Sequence, residues 1–176
     1  MPYPRRMRPI AVLCTLILVL AGCSAAGDAE TSTTTRGATT PTTDQAISVP
    51  PGLADHDLDM VVVGDRLMLL AVADSPQLRS QGLMGVTDLL DLDGMLFYWR
   101  HEASGGFWMK DTLIPLDIAW FAEDGSFAGR ASMVPCVAEP CEIYSPGEGI
   151  DFRYAIEARP GDLDWVDDST VIVYSD

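Results

Sequence analysis

Lys110 and Asp117 are the residues with the strongest claim to chemistry. Lys110 is the chain's only lysine; every other basic residue is arginine. Asp117 interrupts the apolar run Leu116-Asp117-Ile118-Ala119-Trp120-Phe121. A carboxylate buried in such a run must be hydrogen-bonded or paired. With an ammonium group beside it, it can orient a ligand or move a proton. Asp111 and Trp108 flank the lysine and complete a candidate ligand-binding set. The competing reading is structural: Asp117 accepts backbone N–H bonds from the turn between Lys110 and Pro115, and Lys110 pairs with an acid. The residues alone leave both open.

Other groups offer less. Trp99, Phe107, Trp108 and Trp120 form either a stacking platform for a sugar or glycan or part of the core. Strand side chains alternate between faces, so Phe107 and Trp108 cannot both point inward, and one is exposed. Met84, Met95, Met109 and Met133 read as core filler rather than soft metal ligands. His56 and His101 read as surface histidines, and the aspartates at 162, 164, 167 and 168 as a solvated acidic turn. Glu157 is an acid/base candidate by residue type. No nucleophile elbow, phosphate loop, metal-ligand spacing or Ser/His/Asp order is present, and no cofactor is implied.

The elements that must position these residues are mostly strands. Two β-branched runs, 59–63 and 66–73, flank Gly64-Asp65, a hairpin signal. Ser75 followed by Pro76 starts a short helix over 76–81, which Gly82 stops. Leu89 and Leu90 suggest a further helical turn. Strands are expected at 94–99, 107–110, 115–122, 127–134, 152–158 and 170–174, with a loop over 135–151. The fold class is α+β: a compact, mostly antiparallel, β-rich single domain, barrel- or sandwich-like, with one or two short helices.

The start of the chain reads as an export signal. Arg5, Arg6 and Arg8 precede an apolar stretch over 10–20, too short to span a bilayer comfortably. It ends in Leu20-Ala21-Gly22-Cys23, which resembles the bacterial lipoprotein processing box. That resemblance implies cleavage before Cys23, diacylglycerol on its sulfur and an acyl chain (palmitate) on its new amine, anchoring the protein to the bacterial cell membrane on its outer face. Residues 1–22 are then the signal peptide, 23–56 the lipidated cysteine with a disordered Thr/Ser-rich tether, and 57–176 the globular domain. The leader carries three arginines and no acids, so its loss takes the net charge from −15 to −18. So acidic a chain is a poor binder of nucleic acid. Cys136 and Cys141 are the one cysteine pair left, which suggests a disulfide in an exported protein.

Taken together, Arg79 with Gly82-Leu83-Met84, Gly94-Met95-Leu96-Phe97, Phe107-Trp108-Met109-Lys110 with Thr112, Ile114-Pro115-Leu116-Asp117-Ile118, Met133 with Pro135, Tyr144-Ser145, and Tyr154-Ala155-Ile156-Glu157 with Gly161 resemble the bacterial and archaeal family called domain of unknown function 192. The resemblance covers about 60–173. It implies a compact β-rich domain, often exported and sometimes lipid-anchored, and no established activity. The chain departs from it at three places. Asp111 stands where asparagine is usual, Val86 where arginine is frequent, and Asp168-Ser169 where a glycine precedes the last strand.

The sequence therefore points to a lipid-anchored cell-envelope binding or accessory module with a small polar pocket around Lys110 and Asp117. Its partners would be the membrane, through Cys23, and a glycan, small molecule or envelope protein. The alternatives are a hydrolase-like enzyme using Asp117 or Glu157 as acid/base, and a purely structural envelope protein.

Overall fold

The computed structural model describes residues 46–175. The expected leader, the Cys23 processing site and the Thr-rich part of the tether lie outside the described residues. Among the described residues no helix is long and apolar enough to cross a membrane.

The hairpin and the helix form as the local chemistry dictates. Strands β1 (Asp57–Val63) and β2 (Arg66–Ala73) pair antiparallel around Gly64, whose φ of 58° lies in the left-handed region that glycine tolerates. Helix α1 (Pro76–Gln81) is capped by Ser75, whose hydroxyl accepts from the Leu78 amide at 3.3 Å. The remaining strands are β3 (Gly94–Ala103), β4 (Phe107–Trp108), β5 (Leu116–Phe121), β6 (Phe127–Met133), β7 (Ile143–Tyr144), β8 (Phe152–Ala158) and β9 (Ile172–Val173).

Seven of these strands form one sheet in the order β6-β5-β8-β3-β2-β1-β9, and β4 pairs with β7 in a small separate ribbon. Every pairing is antiparallel except β2 with β3, which run parallel and are joined through α1 and the loop over 82–93. Gly94 permits the close approach of β3 to β8, because a Cβ there would strike the Glu157 carbonyl. The two ends of the sheet meet through an antiparallel bridge between Ser126 and Val171, so the sheet curls into a half-barrel.

Alternation along the strands sorts the core into two sets. One contains Val61, Leu70, Leu96, Ala119, Phe121, Ile156 and Ile172. Ile172 and Phe121 belong to strands far apart in sheet order, so this set fills the inside of the curl. The other contains Ala71, Met95, Phe97, Ile118, Trp120 and Ala155, covered by Leu83, Leu89, Met109 and Met133. Burial of these side chains removes apolar surface from water, the dominant favourable contribution to folding.

Four expectations are corrected. The domain is largely β rather than α+β, since α1 is the only α-helix among the described residues. Leu89 and Leu90 form no helical turn; Leu90 has a φ of 52°. The folded body also begins earlier than residue 57. A 3-10 turn at Pro51–Leu53 drives Leu53 fully into the core, and Ser48 and Asp91 exchange hydrogen bonds through the Ser48 amide at 2.8 Å and the Asp91 amide at 3.2 Å. His56, expected at the surface, is consequently buried. Proline at the start of that turn and a single leucine are a weak signal beside a long Thr-rich stretch, which hid it from the sequence.

Candidate functional site

Lys110 and Asp117 do not share a pocket. β5 places Asp117 on the same face as Ala119 and Phe121, the inner face of the curl. There its Oδ2 accepts from the Gly161 amide at 2.6 Å, and it borders a hollow of about 190 Å³ with Arg130, Ser132 and Asp164. Met109, next to Lys110, packs with the other set, on the outer face. Lys110 itself points to solvent, donates to Glu139 Oε1 at 2.7 Å and lies 5.6 Å from the centre of the Trp108 ring. The acid holds its ammonium pKa up, and the lysine holds Glu139 below the usual carboxylate range. Asp117 is thus tied to backbone, as the structural reading held, though by Gly161 rather than by the turn after Lys110.

That Lys110 turn is shaped by backbone. Asp111 has a φ of 56°, and its carbonyl accepts from the Gly85 amide at 2.9 Å. Asparagine and aspartate are the residues that best tolerate this conformation besides glycine, so either residue type meets the demand at this position. The following loop carries Glu139 and is closed by the Cys136–Cys141 disulfide, as the cysteine count suggested.

The aromatic residues build the more open feature. Phe107 packs edge-on against Phe97, Trp99 and Trp120, while Trp108 is half exposed. Alternation in β4 forces that division. Between α1 and the β4 ribbon lies a cleft of about 220 Å³ walled by Phe97, Trp99, Phe107, Trp108 and Phe152, with Arg79 at its rim. The Arg79 guanidinium sits 5.0 Å from the Trp99 ring centre and donates to the carbonyls of Asp74 and Tyr98. Burial lowers its pKa.

Below the cleft is a narrow recess of about 30 Å³, which shares Arg79, Ser80, Phe97 and Trp108 with it. Glu157 lines this recess. It stands in β8 between Met95 of β3 and Ile118 of β5, on the outer face with Ala155. Among the described residues no hydrogen bond or ion pair reaches its side chain, whose oxygens keep a little contact with solvent through the recess. Burial alone pushes its carboxyl up to about 8, so it is mostly protonated at neutral pH. The sequence held the signal for this residue: an acid between Ile156 and Ala158, the same pattern that drew attention to Asp117.

The model of the family described as uncharacterized ACR, domain of unknown function 192, matches residues 58–167. The chain belongs to that family. No curated protein matches it. A solved structure of a proposed transcription regulator from Sinorhizobium meliloti is similar, with 24% identity, a TM-score of 0.58, and coverage of 67% of this chain and 94% of that one. A protein of unknown function from Novosphingobium aromaticivorans is similar at 23% identity and a TM-score of 0.58, covering 74% and 94%. These likenesses show the fold.

Family membership gives the recess a second interest. Of the residues that line it, Arg79, Gly82, Leu83, Met84, Phe97, Trp108, Thr112 and Glu157 all belong to the segments that carry the resemblance to domain of unknown function 192. These segments are far apart in sequence and converge at one place in the fold. The other two departures from the family pattern have structural roles here. Val86 is core, and the turn at 167–170 is held by Asp167, whose Oδ1 accepts from the Ser169 amide and hydroxyl. Of the neighbouring acids, Asp164 meets Arg130 of β6 at 3.5 Å.

Proposed function

We propose that the chain is a lipid-anchored binding module of the bacterial cell envelope, and that its ligand site is the aromatic cleft between α1 and the β4 ribbon. The carrying observation is the half-exposed Trp108 ring beside a cleft walled by four further aromatic side chains. Concave, mostly apolar sites with a few convergent polar groups are the usual form of a small-ligand site. Flat aromatic faces take sugar rings, alkyl chains and cations alike. The processing-box resemblance at Cys23 supports the anchor, and the acidic composition supports a ligand other than nucleic acid.

The hydrolase-like alternative has one observation in its favour, the protonated carboxyl of Glu157 in a recess. A general acid needs a second group to receive or activate the nucleophile. The recess lining contains no second acid and no histidine, so binding is the better reading.

The test is a tryptophan-fluorescence titration of the purified full-length chain with a panel of saccharides, amines and carboxylates, compared with Trp108→Ala. At least one probe should bind the wild-type chain and lose affinity by about tenfold or more in the variant, a loss in the range of truncating a buried aromatic anchor. Equal affinities would remove the cleft as the site. Intact-mass measurement of the protein from bacterial membranes tests the anchor; a mature chain with an unmodified Cys23 would exclude it.

A further inference from the structure

Glu157 lines the recess with an acid that no hydrogen bond or ion pair satisfies among the described residues. Its partners in register, Met95 and Ile118, are apolar. The other charged residue lining the recess is Arg79, and its guanidinium is already engaged by two carbonyls and the Trp99 ring. No other titratable group lines this space.

The room beside Glu157, about 30 Å³, holds a group the size of one water. An anionic head placed there would face a buried acid. A methyl head would leave the carboxyl unpaired. A cationic head that donates hydrogen bonds pairs and satisfies it at once. Phe97 and Trp108 also line the recess, and aromatic rings favour the same kind of group, as Lys110 beside the Trp108 ring already shows. The net charge of −15 raises the local concentration of cations around the whole protein.

We propose that the recess receives the ammonium head of a primary amine whose alkyl or aromatic body lies in the cleft, with Glu157 as its counter-ion. This rests on the reading of the cleft as the ligand site and adds the class of ligand. The exchange balances: the carboxyl releases its proton to solvent, and the ammonium takes over the neutralising role. No bond to carbon forms or breaks.

The proton release makes the proposal measurable. The empty carboxyl is held near 8. The carboxylate must form for the amine to bind, so affinity rises about tenfold per pH unit between about pH 6 and about pH 8 and levels off above that. Butylamine, butanol and butyrate are the probes, titrated by calorimetry and tryptophan fluorescence into the full-length chain. Butylamine should bind at least about tenfold more tightly than the other two and show this pH profile. Glu157→Gln should lose the preference and the profile. The profile is read on the wild-type chain, so it stands whether or not the variant folds.

Butanol binding as tightly as butylamine, a flat pH profile, or no butylamine binding would overturn the ammonium assignment. So would Glu157→Gln binding butylamine like wild type. Each of those leaves the cleft standing if any probe still depends on Trp108. Probes that bind equally well to Trp108→Ala overturn the cleft reading itself.

Discussion

Asp117 and Glu157 lie one register step apart on the paired strands β5 and β8, with their carboxyl groups on opposite faces of the sheet. Ile118 pairs with Glu157 and Asp117 with Ala158, so the pleat sends the two side chains apart. One acid accepts from the Gly161 amide, and the other has no hydrogen-bond or ionic partner among the described residues. They cannot operate as an acid/base couple, and their substitutions should separate cleanly.

Asp117→Ala should destabilise without touching the cleft. It strips the Gly161 amide of its acceptor, which costs about 1–3 kcal/mol for a group removed from water. Asp117→Asn retains an acceptor oxygen and should cost less. Urea unfolding checks this: the midpoint should fall with an unchanged slope, while probe binding in the cleft stays as in wild type.

Glu157 should make the protein less stable as pH rises. Below the ordinary glutamate value both folded and unfolded chains hold the proton, and its stabilising contribution is fully present. Above that value the unfolded chain loses the proton while the folded one keeps it, up to about 8. Stability therefore declines across this window, by an amount on the order of several kcal/mol, and is flat beyond it. Glu157→Gln should abolish the decline. Urea midpoints measured at acid, neutral and mildly alkaline pH distinguish the two curves.

His56 should produce the opposite dependence at acid pH. Neither ring nitrogen makes a well-formed hydrogen bond among the described residues, and burial lowers its pKa against the raising influences of Asp55 and of the nearby Leu53 backbone. The folded chain thus prefers the neutral ring. Stability is intact above the ordinary histidine value and is lost as pH falls through the lowered one. His56→Leu, which replaces unpartnered nitrogens with apolar surface, should be neutral or stabilising and should delay acid unfolding. Circular-dichroism titration from neutral to acid pH reads this directly.

Replacing Cys136 and Cys141 together with alanine should lower stability by about 2 kcal/mol, the entropy of a loop this short. Glu139 sits inside that loop and holds Lys110, which in turn lies over Trp108. The double variant should therefore also change the Trp108 emission, and reduction of the wild-type protein should reproduce that change.

Local chemistry explains what could be read in advance. Gly64-Asp65 marked the first hairpin, Ser75-Pro76 and Gly82 the two ends of α1, and the alternation at Phe107-Trp108 the exposed aromatic. Each depends on residues a few positions apart. What escaped notice depends on distant pairing. β7 exists because Tyr144 meets Phe107, and neither Ile143 nor Tyr144 announces it. Leu53 becomes core because the loop over 82–93 gives it somewhere to go. The supposed Lys110–Asp117 pair failed for a related reason: seven residues in the chain do not reveal which side of a curled sheet each will face. Arg79 and Glu157 meet at one recess although they are remote in sequence, and only the folded sheet shows it.

The last strand gives the first one its outer neighbour. Val62 and Val63 pair with Val173 and Ile172, and Val171 bridges to Ser126. A chain in which β9 has not yet docked lacks those pairs. Its hairpin would meet the surroundings with one row of peptide groups bare. The outer edge of the β1–β2 hairpin is for that reason guarded by a strand of two residues, and fraying of β9 alone would turn β1 into an edge open to pairing with another chain.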